Sequence, residues 1–309
     1  MSALTLKGPY WVTVRQHRLT LWAVPALVVL GLASVVALRA WAGDPDPGRM
    51  TVPSSNHGFT ALRLFMEAAS TGLLFLPLLV GAFVAGPMTA RELESGTWRL
   101  ALTQSSSPRA WLGAKVLVAA AVSALGAAAL AAVYRLGWVR ISGTYQFHWA
   151  DRGTYEASGP VLIGYCLLGV ALGALAGQLV RRTLLAMSVT GLLTGLVLLG
   201  LGALRWSILP VETNTAPFPG RPAFPPHSAF MTDSGLLTAT GERVPRAACF
   251  ARTHDMSVCP ADMNITGQYT EFHPASHYWP TQLIETSLVL VLAAGLLYAA
   301  FRVVRARRI

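Results

Sequence analysis

"PVLIGYCLLGVALGALAGQLVRRTLLAMSVTGLLTGLVLLGLGAL", residues 160–204, carries only two charged side chains, Arg181 and Arg182, side by side near its middle. A helix needs roughly 20 apolar residues to cross the hydrocarbon core of a bilayer. Residues 160–180 and 184–204 each meet that length. Charged side chains are costly at mid-membrane, so two adjacent arginines predict a tight hairpin turn here and not one overlong helix. Working outward, four more windows qualify: residues 19–38, 66–85, 116–134 and 279–301. The expected fold class is all-α: a polytopic membrane protein with six transmembrane helices. An amphipathic interfacial helix is expected in residues 1–18, ahead of a membrane domain over 19–309, with a long extracellular loop, 205–278, between helices five and six.

The whole composition agrees. Of 309 residues, 53% are hydrophobic and 12% charged, and mean hydropathy is +0.50. Soluble domains carry about 25% charged residues. The net charge of +10 does not point to nucleic acid, because the basic residues flank apolar runs and form no continuous patch. Ala40-Trp41-Ala42 has the form of a signal-peptidase site, but the preceding run is long for a signal peptide and Arg39 interrupts the approach, so the first helix is expected to remain.

Orientation follows from Lys and Arg. With a cytoplasmic N-terminus, inside segments hold 13 of them and the short outside segments hold 6. Both termini are therefore expected in the cytoplasm. Residues 91–115 then lie inside, and residues 205–278 outside, where Cys249 and Cys259 could form a disulfide. Gly169, Gly173 and Gly177 make a GxxxGxxxG ladder, and Gly191 and Gly195 a shorter one. Small residues at that spacing let helix backbones approach, either within the chain or at a homodimer seam on the fifth span. Pro25 and Pro77 lie inside spans and can bend them.

"RELESGTWRLALTQSSSPRAWLGAK", residues 91–115, places six charged side chains between two apolar runs. A helical turn is expected over 89–94, with Arg91 and Glu94 spaced to pair. Gly96 is a natural stop, and Ser107 before Pro108 reads as the cap and first residue of the next helix. The segment is thus a compact charged elbow. Its pattern, including Ala90, Arg91, Glu92, Gly96, Thr97, Arg99, Leu102, Thr103, Ser107, Trp111 and Lys115, resembles the cytoplasmic loop of ABC-2 type transporter permeases. Residues 273–308 resemble that family's last helix.

The resemblance implies a six-helix permease subunit of a bacterial ABC exporter, working as a homodimer with two copies of a separate cytosolic ATP-binding subunit. ATP and magnesium would sit on that partner, with no cofactor on this chain. Residues 86–115 would be the coupling loop, and Arg91, Glu92, Glu94, Thr97 and Arg99 would contact the ATPase. A hydrophobic or amphipathic substrate (a drug, lipid or peptide) is expected, because the spans hold few polar groups.

No G-x-x-x-x-G-K-[ST] occurs, so a P-loop is not expected on this chain, and neither HExxH, GxSxG nor CxxC is present. No metal site is expected, although His273 and His277 are four apart with His254 and Cys259 nearby. Glu285, with Gln282 one turn earlier, is a candidate to line a pathway. Its plainer reading is a carboxylate near the outer interface at a helix start. Glu67 has Arg63 one turn before it to neutralise it. The alternatives are a membrane-embedded enzyme using Glu285, Glu67 or the loop histidines, and a proton-coupled secondary transporter.

Overall fold

The computed structural model describes residues 9–16, 18–43, 56–98, 107–142, 148–226, 228–255 and 258–306. Arg99, Leu102, Thr103, the serines before Ser107 and residues 1–8 lie outside them. The chain forms two compact units. One comprises Met1–Ser142, Asp151–Arg205 and Gln282–Ile309, the other Gly143–Ala150 and Trp206–Thr281.

The first unit is helical. Helix α1 spans Pro9–Gln16 and α2 Arg18–Ala42. Helix α3, His57–Leu79, runs through a π-helical turn, Val80–Ala85, into α4, Gly86–Glu94. Helix α5 covers Pro108–Ile141, α6 Thr154–Ser158, α7 Val161–Val180 and α8 Thr183–Leu204. Six helical stretches are long and apolar enough to cross a membrane: α2, the α3–α4 run, α5, α7, α8 and, last in the chain, Ala275–Ala306. The α3–α4 run and α5 reach beyond the apolar windows because capping residues, not hydropathy, set their ends. Asn56 caps α3 by accepting from the Phe59 N–H at 3.0 Å, and Ser107 caps α5 by accepting from the Ala110 N–H at 3.2 Å.

Helix α7 is the centre of this unit. Its apolar window is 83% buried, against 6% for α2 and 22–28% for the other four. The glycine ladder explains how it can be. A Cβ on Gly169 would stand 3.0 Å from the Pro77 carbonyl oxygen, and Cβ atoms on Gly173 and Gly177 would strike Ala85 and Thr89. The ladder therefore docks α7 on the second span. Gly191 and Gly195 of α8 face the same span, at Ala82 and Leu78. These α8 glycines thus pack within the chain, the first of the two uses that the sequence allowed them. Pro77 cannot donate to the helix ladder, and the π-helical turn opens three residues after it, where Val80 N–H is shared between the Leu76 and Pro77 carbonyls.

The 205–278 segment, read from sequence as a loop, is mostly a folded module. Strands β1 (Glu212–Pro217), β2 (Phe230–Thr238), β3 (Arg243–Val244) and β4 (Ile265–His273) form one antiparallel sheet in the order β1-β4-β2-β3. Helix α9, Arg246–Thr253, follows β3, and α10, Tyr278–Ala306, carries the chain into the sixth span. Polar residues hold the module's interior. Gln268 of β4, 1% exposed, donates to the carbonyls of Pro217 and Arg221 and accepts from Arg246. An aromatic cluster joins Trp149, Trp206 and Phe230, and both His148 and Trp149 bond the Ser228 carbonyl.

Candidate functional site

At one end of the helical unit lies the elbow. Helix α4 buries Met88, Thr89 and Ala90 and stops at Gly96, whose φ of +73° is the left-handed conformation that favours glycine. Its two acidic residues are engaged within the chain. Glu92 accepts from the indole N–H of Trp111 at 2.8 Å and from Lys115 Nζ at 2.7 Å, tying α4 to α5. Lys115 is 4% exposed, so this is a buried cation with a dedicated partner. Glu94 accepts from the backbone N–H of Thr183 at 2.8 Å and from its hydroxyl, capping the first turn of α8. Glu94 is thus committed to Thr183, where the sequence spacing had matched it to Arg91. Arg91 and Thr97 are left exposed, with Thr97 sharing a 2.9 Å hydrogen bond with Ser95. Of the five residues named from the loop, then, Glu92 and the exposed Glu94 anchor it, Arg91 and Thr97 are exposed, and Arg99 falls outside the described residues.

The other end of the unit holds a buried ionic cluster. Arg205 follows α8 directly and points between two carboxylates. It meets Glu285 of α10 through Nε at 2.7 Å and Nη2 at 3.0 Å, and Glu156 of α6 through Nη2 at 2.6 Å. All three side chains are at most 3% exposed. The Tyr165 hydroxyl of α7 donates to Glu285 Oε1 at 2.6 Å, and the Gly153 N–H donates to Glu156 Oε2 at 2.7 Å. Each of the four carboxylate oxygens therefore has a donor. The Arg205 guanidinium also lies 3.7 Å from the ring centre of Tyr155, within cation–π range. Burial, then the charge on Glu285, raises the Tyr155 hydroxyl above its ordinary value and keeps it neutral. Gln282 completes the set, donating to the Tyr155 carbonyl at 2.7 Å and accepting from the Val161 N–H at 3.2 Å.

Helix α6 can sit in this crowd because of Gly153. Its φ is +84°, and a Cβ there would stand 2.9 Å from the Ser70 carbonyl oxygen. That close approach brings Glu156 in to cap its own helix and to meet Arg205 at once. Glu285 is thus a fully buried ion-pair member. Its oxygens accept three hydrogen bonds, two of them from Arg205, which suits a structural clamp. Arg205 and Glu156 escaped sequence reading because Arg205 falls one residue past the apolar window and Glu156 sits in a polar link. The available signal was a lone arginine closing a span that is otherwise uncharged after Arg182.

In the second unit, Cys249 and Cys259, ten positions apart, are joined by a disulfide. That removes Cys259 as a metal ligand. His254 caps the end of α9 in the left-handed conformation, with φ of 57°. His273 and His277 approach each other, Nδ1 to Nδ1, at 3.1 Å, and His273 Nε2 bonds the Trp206 carbonyl at 3.2 Å. Among the described residues, no group of three or more His, Cys, Asp or Glu is placed to hold a metal.

No curated protein and no solved structure gives a significant match to the chain. A family model, described as ABC-2 membrane transporter related, matches residues 21–205, a stretch that includes the first five spans, the elbow, Glu156 and Arg205. With six apolar helices, one of them the buried α7, and with the family match over more than half its length, the chain belongs to the ABC-2 membrane transporter related family and is a multi-pass membrane protein.

Proposed function

We propose that the chain is the permease subunit of an ABC exporter, driven by a separate cytosolic ATP-binding subunit that carries the ATP and magnesium. Two copies of the chain would pair with two ATPases. The observation that carries this reading is the anchoring of the elbow. Arg91 and Thr97 are exposed for a partner, while Glu92 and Glu94 fasten the same short helix to α5 and α8. A push on the elbow therefore acts on the second, third and fifth spans together. The 13-to-6 distribution of Lys and Arg supports a cytoplasmic elbow with both termini inside. The apolar spans support a hydrophobic or amphipathic cargo. A membrane-embedded enzyme is the weaker reading, because the buried Glu285 carboxylate is held in an ion pair by Arg205 and also accepts from Tyr165.

The test is co-purification and charge reversal. A P-loop ATPase should come down with the chain in equal stoichiometry. Arg91→Glu should weaken that association, and Glu92→Lys should abolish ATP-driven transport by placing a second cation against Lys115. If association and transport survive both changes, the coupling assignment is wrong.

A further inference from the structure

Between α1, α2, the second span and α5 runs a narrow cleft, lined by Thr13, Leu21, Val84, Met88 and Val122, together with Lys115. Its enclosed free space is about 20 Å³, room for one water-sized group. Lys115 is the unusual member. An ammonium carries three N–H donors. Among the described residues one of them has an acceptor, Glu92 Oε1 at 2.7 Å, while the Trp111 ring centre stands 5.6 Å away. The side chain is 4% exposed. A buried cation with two donors unmet is costly until a further acceptor reaches it. On α1 and at the start of α2, Arg15 and Arg18 are exposed, and the Arg15 guanidinium lies 5.1 Å from the ring centre of Trp11. Trp and Arg together on an exposed helix face are the pattern of an element lying among lipid headgroups.

We propose that this cleft binds an anionic phospholipid of the leaflet on the elbow side, with a phosphate oxygen at Lys115 and one acyl chain along Leu21, Val84 and Val122. Head and tail contacts fall in the right order. Lys115 stands at the start of the apolar run of α5, and Val122, seven residues on, lies about 10 Å deeper at the rise of an α-helix. The phosphate supplies the acceptor that Lys115 lacks, and Arg15 and Arg18 add to the attraction for a negative headgroup. The narrowness selects a lipid over a bulky cargo molecule. The enclosed space admits one oxygen-sized group, whereas the half-buried Leu21, Val84 and Val122 can still be covered from the bilayer side. A phosphate here would brace the Lys115–Glu92 pair that ties α4 to α5. The inference needs a membrane chain but no ATPase, so it stands apart from the permease reading.

The experiment uses the full chain, purified and delipidated in detergent. It is given phosphatidylglycerol or phosphatidylcholine with the same acyl chains, and bound lipid is counted by native mass spectrometry. The parent chain should hold phosphatidylglycerol more tightly by roughly tenfold, the effect of one charge-assisted hydrogen bond. Lys115→Met combined with Glu92→Gln removes both charges without leaving either unpaired, and should abolish that preference. Arg15→Gln should lower it in part. Val122→Trp, which fills the path of the tail, should weaken both lipids alike. Arg182→Gln, at an exposed cation outside the cleft, should change nothing. The proposal is overturned if the parent chain holds the two lipids equally, as it would were a water to fill the place of the phosphate. It is also overturned if the neutral pair keeps the preference, or if Arg182→Gln removes as much of it as the neutral pair does. Should the neutral pair fail to fold, Arg15→Gln and Val122→Trp decide, and retention unchanged in both overturns the proposal.

Discussion

Arg205→Ala is the sharpest perturbation of the helical unit. It removes the cation that pairs with both Glu156 and Glu285, whose side chains are 3% and 1% exposed. Breaking a buried pair from one side leaves uncompensated charge and costs about 3–5 kcal/mol. The guanidinium also leaves the Tyr155 ring, a contact worth up to about 2 kcal/mol when desolvated, though the two losses are not additive. At about 2–4 °C per kcal/mol, Tm should fall by on the order of 10 °C. Combining Arg205→Met with Glu156→Gln and Glu285→Gln removes every charge while keeping most of the volume, and should recover most of the loss. The assay is size-exclusion chromatography of heated, detergent-solubilised protein, with the same series repeated in lipid nanodiscs. The ranking matters more than any one value: parent, then the neutral triple variant, then Arg205→Ala. If Arg205→Ala melts with the parent, the cluster contributes no stability. If the triple variant is as weak as the single one, shape and not charge balance governs this site. Either result refutes the reasoning.

Three further outcomes follow from other sites. Gly173→Val should destabilise the helical unit by about 1–3 kcal/mol, because its side chain enters the space of Ala85, whereas Gly200→Val, with nothing within 4 Å, should stay within about 1 kcal/mol of the parent in the same melting assay. Replacing Cys249 and Cys259 by serine should lower the stability of the sheet-containing unit by about 2–4 kcal/mol, seen as faster limited proteolysis within residues 206–281. Burial, then the neighbouring His277, pushes His273 below its ordinary value near 6.5, so the fold favours its neutral form. The unfolded chain then takes up the proton first as pH falls. Stability of this unit should be level above about pH 7 and decline below 6.5, and His273→Phe should flatten that slope in a pH series of Trp fluorescence.

Much was legible in residue order alone, because hydropathy and capping are local. Six apolar runs of sufficient length lead to six helices in lipid, where each backbone donor must be satisfied within its own segment. Ser107 and Pro108 start α5 by hydrogen bonds to the next few residues, and Arg181 and Arg182 mark the hairpin between α7 and α8. The sheet was hidden because its buried strand residues include Gln268, Thr270 and His273, whose polar groups are tolerated only once partners arrive from elsewhere in the chain. The roles of the acids were hidden for the same reason. Glu92 finds Lys115, Glu94 finds Thr183 and Glu285 finds Arg205, at separations of 23, 89 and 80 residues. Sequence by itself determined a six-span membrane chain with a charged elbow, since oil–water partition and helix capping act over a turn or two. Only the tertiary structure decided that Glu92 meets Lys115 and that Glu156 and Glu285 close on Arg205, since an ion pair is a matter of distance through space.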